Sequence, residues 1–259
     1  MAGIQREDTM NLNGKHAFIT GGGTGIGLAI AQDLAAKGAH VTITGRRQEV
    51  LDEVAGPNMT GLAMDVRNEE DVVAKIAAAV AAHGPIQICI PNAGIAEGKA
   101  VHKTDMEFWR NMMSTNLDGA FLTIRESLKS MRDTDWGRVI AISSMAGLRG
   151  LPGAAAYSAS KHGMIGLVRS LAEDYMGQPY TFNAICPGYV DTPIVTRNTA
   201  SISERAGISE EKARAIMVNS NPHKRLIDVS EVSAVAAWLT GPGSQSINGQ
   251  CIQVTGGHM

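Results

Sequence analysis

A doubly wound α/β fold, seven parallel strands with helices on both faces, follows from three features of the 259-residue chain. Short β-rich runs alternate with longer helical stretches, and no repeat or low-complexity linker interrupts them. Several runs are apolar on both faces, as strands covered by helices on each side must be. Strand–helix–strand crossovers close in one hand, which winds this alternation into a single sheet. Residues 1–259 therefore read as one domain.

The strands are expected at 16–20, 40–44, 60–64, 86–91, 138–143, 181–185 and 250–254. Between them Ile26, Ile30 and Leu34, then Val72, Ile76 and Val80, then Val232, Val235, Ala236 and Leu239 recur at helical spacing and form stripes that pack on the sheet. The stretch 191–222 follows a Pro187-Gly188 turn and is polar and helix-prone without a strand. It reads as a mobile substrate cover over the crevice at the carboxyl ends of the strands, where ligands bind in such sheets.

Composition narrows the function. Lys+Arg 23 against Asp+Glu 25 gives a net charge of −2, with no field to gather polyanions, so no nucleic-acid partner is expected. No stretch approaches 18 uninterrupted apolar residues and the first residues lack a signal-like run, so the expectation is no membrane partner and a cytoplasmic location. Three cysteines, far apart and odd in number, indicate neither a disulfide framework nor a metal pair. The seven histidines show no ligand spacing either, so no metal is expected.

The first strand runs into Thr20-Gly21-Gly22-Gly23-Thr24-Gly25-Ile26-Gly27, and a helix pattern starts at once. Glycines here let the backbone turn tightly and approach a pyrophosphate, whose charge the helix N-terminus stabilises. Dinucleotide sites usually place an acid about 20 residues later, on the adenosine ribose. This chain has Gly45-Arg46-Arg47 instead, with no acid before Glu49. A guanidinium at Arg46 or Arg47 suits a 2′-phosphate that a carboxylate would repel, which favours NADP over NAD as cofactor. Arginines solvated at the turn, or one stacked on adenine in an NAD site, are the competing reading.

Tyr157 and Lys161 stand four apart on a predicted helix and share one face. A free phenol has a pKa of about 10. A fixed ammonium about 4 Å away would stabilise the phenolate by about 4 kcal/mol, bringing an acid/base into the neutral range. Ser144 lies thirteen residues earlier, at the end of the preceding strand.

With Asp65-Val66, Asn92-Ala93-Gly94, Asn116 and Pro187-Gly188 added in order, the chain resembles the short-chain dehydrogenase/reductase family from Leu12 to Met259. Within it the chain is similar to 3-oxoacyl, 3-hydroxyacyl and polyketide ketoreductase members. The resemblance implies a Rossmann fold and hydride transfer between a nicotinamide cofactor and a small-molecule ketone or secondary alcohol. It makes Tyr157 the acid/base on the carbonyl oxygen, with Ser144 hydrogen-bonded to the same oxygen. Lys161 would lower the Tyr157 pKa and hold the nicotinamide ribose, and Asn116 would hold a water linking Lys161 to solvent. Gly21, Gly23, Thr24, Gly25, Ile26 and Gly27 would cradle the pyrophosphate, and Asp65 and Val66 would meet adenine. Asn92, Ala93 and Gly94 would form the floor under the cofactor, and Pro187, Gly188, Val190 and Thr192 would line the nicotinamide end. A homotetramer is also implied. The chain departs from the family in having Pro91 where a first asparagine is usual, which predicts a missing ladder hydrogen bond there. A sugar, polyol or cyclic-alcohol dehydrogenase of the same family, and a cofactor-sensing protein without turnover, are the alternatives.

Overall fold

The computed structural model describes residues 10–257; residues 1–9 and 258–259, included in the expected domain, lie outside the described residues. Seven parallel strands are present: β1 (His16–Thr20), β2 (His40–Gly45), β3 (Met59–Ala63), β4 (Ile88–Ile90), β5 (Gly137–Ile142), β6 (Tyr180–Pro187) and β7 (Cys251–Val254). Their order in the sheet is β3-β2-β1-β4-β5-β6-β7. The winding reverses between β1 and β4, so their carboxyl ends open the crevice that doubly wound sheets use for ligands.

Helices α1 (Gly25–Ala36), α2 (Gln48–Val54) and α9 (Val229–Thr240) cover one face, and α3 (Glu69–His83), α5 (Gly119–Met131) and α6 (Ala155–Asp174) the other. Alternate strand residues feed the two layers: Phe18, Val139 and Ala141 enter one core, whereas Ala17, Ile19, Ile140 and Ile142 enter the other. The expected stripes are in place. Ile30 and Leu34 are fully buried on α1, as are Val72 on α3 and Val232 and Ala236 on α9. Helix α3 carries its own start signal, the Asn68 side chain accepting from the Asp71 N–H, with Glu69, Glu70 and Asp71 at the positive end of the dipole.

Strand β4 is shorter than the expected 86–91. The Ile86 N–H turns aside to Ser130 Oγ at 3.1 Å, and Pro91 has no N–H to offer, although its carbonyl still accepts from Ile142 at 3.0 Å. Strand β1 has its expected bounds, and the other five differ from expectation by one or two residues at their ends. The remaining helices are α4 (Met106–Met113), α7 (Pro193–Ala206) and α8 (Glu210–Ser220), the last two filling most of 191–222. No helix among the described residues is long and apolar enough to cross a membrane.

Candidate active site

Strand β1 delivers Thr20 to the crevice. Thr20 Oγ1 accepts the N–H groups of Asn92 and Ala93, each at 3.0 Å. In return the Asn92 side chain donates to the carbonyls of Thr20 at 2.9 Å and Gly21 at 3.1 Å. This staple joins the loop after β1 to the segment after β4. Gly21 and Gly25 hold φ of 65° and 56°, where a side chain is strained. A Cβ on Gly27 would stand 2.4 Å from both Asn92 Nδ2 and the Gly21 oxygen. Thr24, the N-cap of α1, makes no side-chain capping bond, so that helix start keeps its donors for another acceptor. Ile26 packs into the core behind the loop, and Gly23 leaves room for Val50 and Leu51 of α2. The cradle has the shape and donors that a pyrophosphate needs.

At the adenosine end Arg46 and Arg47 are exposed beyond β2, and neither enters an ion pair among the described residues. Asp65 is gripped by Arg67, with Nη2 at 2.6 Å and Nε at 3.0 and 3.1 Å from its oxygens. The Arg67 guanidinium holds the Asp65 carboxyl below the usual range, and the Arg46 charge adds to this. Arg67 was missed in the sequence; its signal was the Asp-x-Arg turn, in which the Arg67 N–H also donates to Asp65 Oδ1 at 3.0 Å. Val66 is buried against Gly119, whose Cβ would lie 2.8 Å from Val66 Cγ2.

Ser144 follows β5 and caps a 3-10 turn (Met145–Gly147), its Oγ accepting from Ala146 N–H at 3.1 Å. Tyr157, near the start of α6, is close enough for the Ser144 side chain to act on its phenol. One turn further on, the Lys161 ammonium donates to the Ile142 carbonyl at 2.8 Å, and lies 6.0 Å from the Tyr157 ring centroid. Asn116 sits in a π-turn (Ser114–Asp118) between α4 and α5. Its Oδ1 accepts the Ile95 N–H at 2.8 Å, and its Nδ2 donates to the Ile95 carbonyl at 2.9 Å and to Ser160 Oγ at 3.1 Å. That amide ties the segment after β4 to α6. Gly94 fits beside this group, where a Cβ would lie 3.2 Å from Asn116 Oδ1 and 3.7 Å from Lys161 Nζ.

Burial governs the electrostatics of this pair. Burial pushes Lys161 down to about 8 and pushes the Tyr157 phenol up, with the Ser144 side chain working against the latter. Both groups are withdrawn from water, and burial is the largest influence on each.

At the other side of the crevice, Pro187 and Gly188 lead from β6 toward α7. Val190 bridges to Ile227, and the Asp191 N–H donates to the Ile227 carbonyl at 2.9 Å. Buried Asn221 reinforces this stem: its Oδ1 accepts from Tyr189 N–H at 3.1 Å and its Nδ2 donates to the carbonyls of Tyr189 and Arg225 at 2.9 and 2.7 Å. Both ends of 191–222 are therefore tied at one place. Thr192 Cγ2 would be 3.2 Å from a Cβ on Gly25, so the start of α7 closes against the glycine loop. Asn221 was invisible in the sequence, a lone asparagine that bonds across 32 residues.

The pattern of the short chain dehydrogenase family matches residues 15–203. A D-beta-hydroxybutyrate dehydrogenase of Rhizobium meliloti is 34% identical, over 94% of this chain and 98% of its own length. The 3-oxoacyl-(acyl-carrier-protein) reductase of Vibrio cholerae is 32% identical, over 96% and 98%. Among solved structures, a variant of actinorhodin polyketide ketoreductase with NADPH superposes with a TM-score of 0.90 at 34% identity, covering 94% of this chain and 96% of that one.

Proposed function

The chain belongs to the short chain dehydrogenase family, and from that premise we propose that it interconverts 3-oxoacyl and 3-hydroxyacyl substrates, using NADP in preference to NAD. Membership makes it a nicotinamide-dependent oxidoreductase acting on a ketone or secondary alcohol. The observation that carries the finer reading is the meeting of Ser144, Tyr157 and Lys161, with Lys161 Nζ beside Gly94. The relatives' names, a hydroxybutyrate dehydrogenase and a 3-oxoacyl reductase, support the substrate class. Unpaired Arg46 and Arg47, and the NADPH in the ketoreductase structure, support the cofactor preference.

Gly21, Gly23, Thr24, Gly25, Ile26 and Gly27 would hold the pyrophosphate, Arg46 and Arg47 the 2′-phosphate, and Asp65 and Val66 the adenine. Asn92, Ala93, Gly94, Pro187, Gly188, Val190 and Thr192 would enclose the nicotinamide end, with Tyr157 and Lys161 at its ribose. The bound nicotinamide supplies the hydride for reduction and accepts it in the reverse direction. Tyr157 donates its hydroxyl proton to the carbonyl oxygen as negative charge develops there. Ser144 Oγ donates a hydrogen bond to the same oxygen, so two fixed donors meet the forming alkoxide. Lys161 supplies a positive charge near the phenolate that Tyr157 leaves behind. Asn116 positions this group by tying Ile95 to Ser160 on α6. Residues 191–222 act as the cover, swinging on the Val190–Ile227 stem.

A cytoplasmic homotetramer completes the reading. Exposed Phe121 and the groove of Leu128, Leu167 and Leu171 between α5 and α6 support self-association on that face. The test is NADPH oxidation with a 3-oxoacyl thioester, a cyclic ketone and an aldonolactone. Highest kcat/KM with the thioester is expected; a preference of about tenfold or more for either other compound contradicts the substrate class.

A further inference from the structure

Strands β2 and β3 run side by side to their carboxyl ends, where Gly45 stands opposite Ala63 and the Met64 N–H donates to the Gly45 carbonyl at 2.8 Å. Arg46 and Asp65 therefore leave the sheet at one corner. The Asp65 backbone is fixed there: its N–H donates to Asp71 Oδ2 on α3 at 2.8 Å, and its carbonyl accepts from the Asn68 N–H at 3.0 Å.

The Asp65 carboxylate has no lone pair to spare. Its Oδ1 accepts the Arg67 N–H and the Arg67 Nε, each at 3.0 Å, and its Oδ2 accepts the same Nε at 3.1 Å and Nη2 at 2.6 Å. An ionised carboxylate offers about four acceptor sites, and this one neighbour fills them. Bonds from a guanidinium are charge-assisted and stronger than one from a neutral amine. Arg67 is held from a second side as well, its Nη1 donating to Asn111 Oδ1 on α4 at 3.3 Å. Its side chain is nevertheless 40% exposed, between one hollow lined by Phe108 and Asn111 and another lined by Glu69 and Val73, so it can be exchanged without opening the core.

The 6-amino group of adenine brings donors only, and its bond to Asp65 must replace one from Arg67. The exchange gains little. A 6-oxo group in the same place, as in hypoxanthine, needs a donor, and the Arg67 guanidinium supplies it. We propose that Arg67 determines how the purine of the cofactor is read: by occupying Asp65 it makes this corner indifferent to the substituent at the 6-position. The proposal rests on the reading above that puts the base at Asp65 and Val66, and deepens it. Asp65 borders the base, and Arg67 withholds it from the amino group.

NADPH and its hypoxanthine counterpart carry the same charge and differ at the purine ring, so the ratio of their Kd values isolates this effect. Fluorescence titrations give the ratio for wild type, Arg67→Met, Arg67→Lys and the double variant Arg67→Met/Asp65→Asn. In wild type the two Kd values are expected to agree within about threefold. Arg67→Met frees a carboxylate that accepts from the amine and repels the oxo group, and should favour NADPH by about tenfold or more. Arg67→Lys, with the charge kept but fewer donors, should fall between. The double variant should return to within about threefold, because a carboxamide can accept from the one group or donate to the other. A wild-type preference for NADPH above threefold, or a ratio in Arg67→Met equal to that of wild type, overturns the proposal while leaving the dinucleotide site in place. Binding of neither cofactor by wild type overturns the dinucleotide reading, and this proposal with it.

Discussion

The Lys161 ammonium points its hydrogen bond at the Ile142 carbonyl, 2.8 Å away at the end of β5, and not at the Tyr157 hydroxyl. The helix spacing that puts Lys161 beneath Tyr157 therefore serves a buried charge shared between strand and helix. Burial lowers the Lys161 pKa to about 8, so the charge is present below that pH and is lost above it. Tyr157, pushed upward, keeps its proton through the neutral range.

The pH profile of reduction follows. With both groups protonated below about pH 8, kcat/KM for ketone reduction is expected to be level there and to fall as the pH rises through that value. Lys161→Met should lower the level part by roughly 10²-fold or more and remove the limb near 8. A wild-type profile that stays level to pH 10 would show that Lys161 does not titrate as described.

Cofactor choice is expected to follow charge at the end of β2. Arg46→Asp replaces an unpaired cation with an anion facing the 2′-phosphate, and should shift the ratio of NADPH to NADH affinity by about tenfold or more toward NADH. Fluorescence titrations with both cofactors read this ratio. An unchanged ratio removes Arg46 from the account.

Gly27 has no room for a side chain. In Gly27→Ala the methyl carbon would meet Asn92 Nδ2 and the Gly21 oxygen at 2.4 Å, and the Asn92 staple must give way. A stability loss of about 1–3 kcal/mol is expected, together with loss of tight NADPH binding. Denaturant unfolding and NADPH titration check both parts; wild-type binding in this variant would mean the loop tolerates displacement.

Acid stability is expected to depend on His16, at the amino end of β1. It is 2% exposed, and its ring bonds the Gly84 carbonyl and Thr42 Oγ1, each at 2.9 Å. Burial lowers its pKa to about 4, and the charges of His40 and His83 push the same way. Between about pH 6.5 and 4 the unfolded chain therefore takes up a proton that the folded chain refuses. Stability falls across this window as the pH is lowered, by up to about 3 kcal/mol from this group. Comparing unfolding midpoints at pH 7 and 4.5 for wild type and His16→Gln tests it: the variant should lose less, and equal losses would acquit His16.

The glycine loop and the Ser144, Tyr157 and Lys161 group were legible because each answers to a local requirement. Gly21 and Gly25 must take positive φ, Gly27 must admit a neighbour, and residues four apart on a helix must share a face. The two cores were legible from periodicity. The direction of the Lys161 hydrogen bond was not, since Ile142 reaches it from a separate strand. Asn221 and Arg67 escaped for related reasons: one bonds across the chain, and the other looks like an ordinary surface charge until Asp65 is seen in its grip. The shortening of β4 was signalled at Pro91 but not at Ile86, whose N–H is claimed by Ser130 on α5.

The decisive comparison is NADPH oxidation by wild type and by Tyr157→Phe with a 3-oxoacyl thioester, alongside the NADPH Kd of each. Removing one hydroxyl deletes the proton donor and leaves the ring in place. The expected result is a fall in kcat of about 10³-fold or more with the cofactor Kd changed by less than about threefold. A Tyr157→Phe protein that still oxidises NADPH at a rate near wild type would contradict the proposed chemistry.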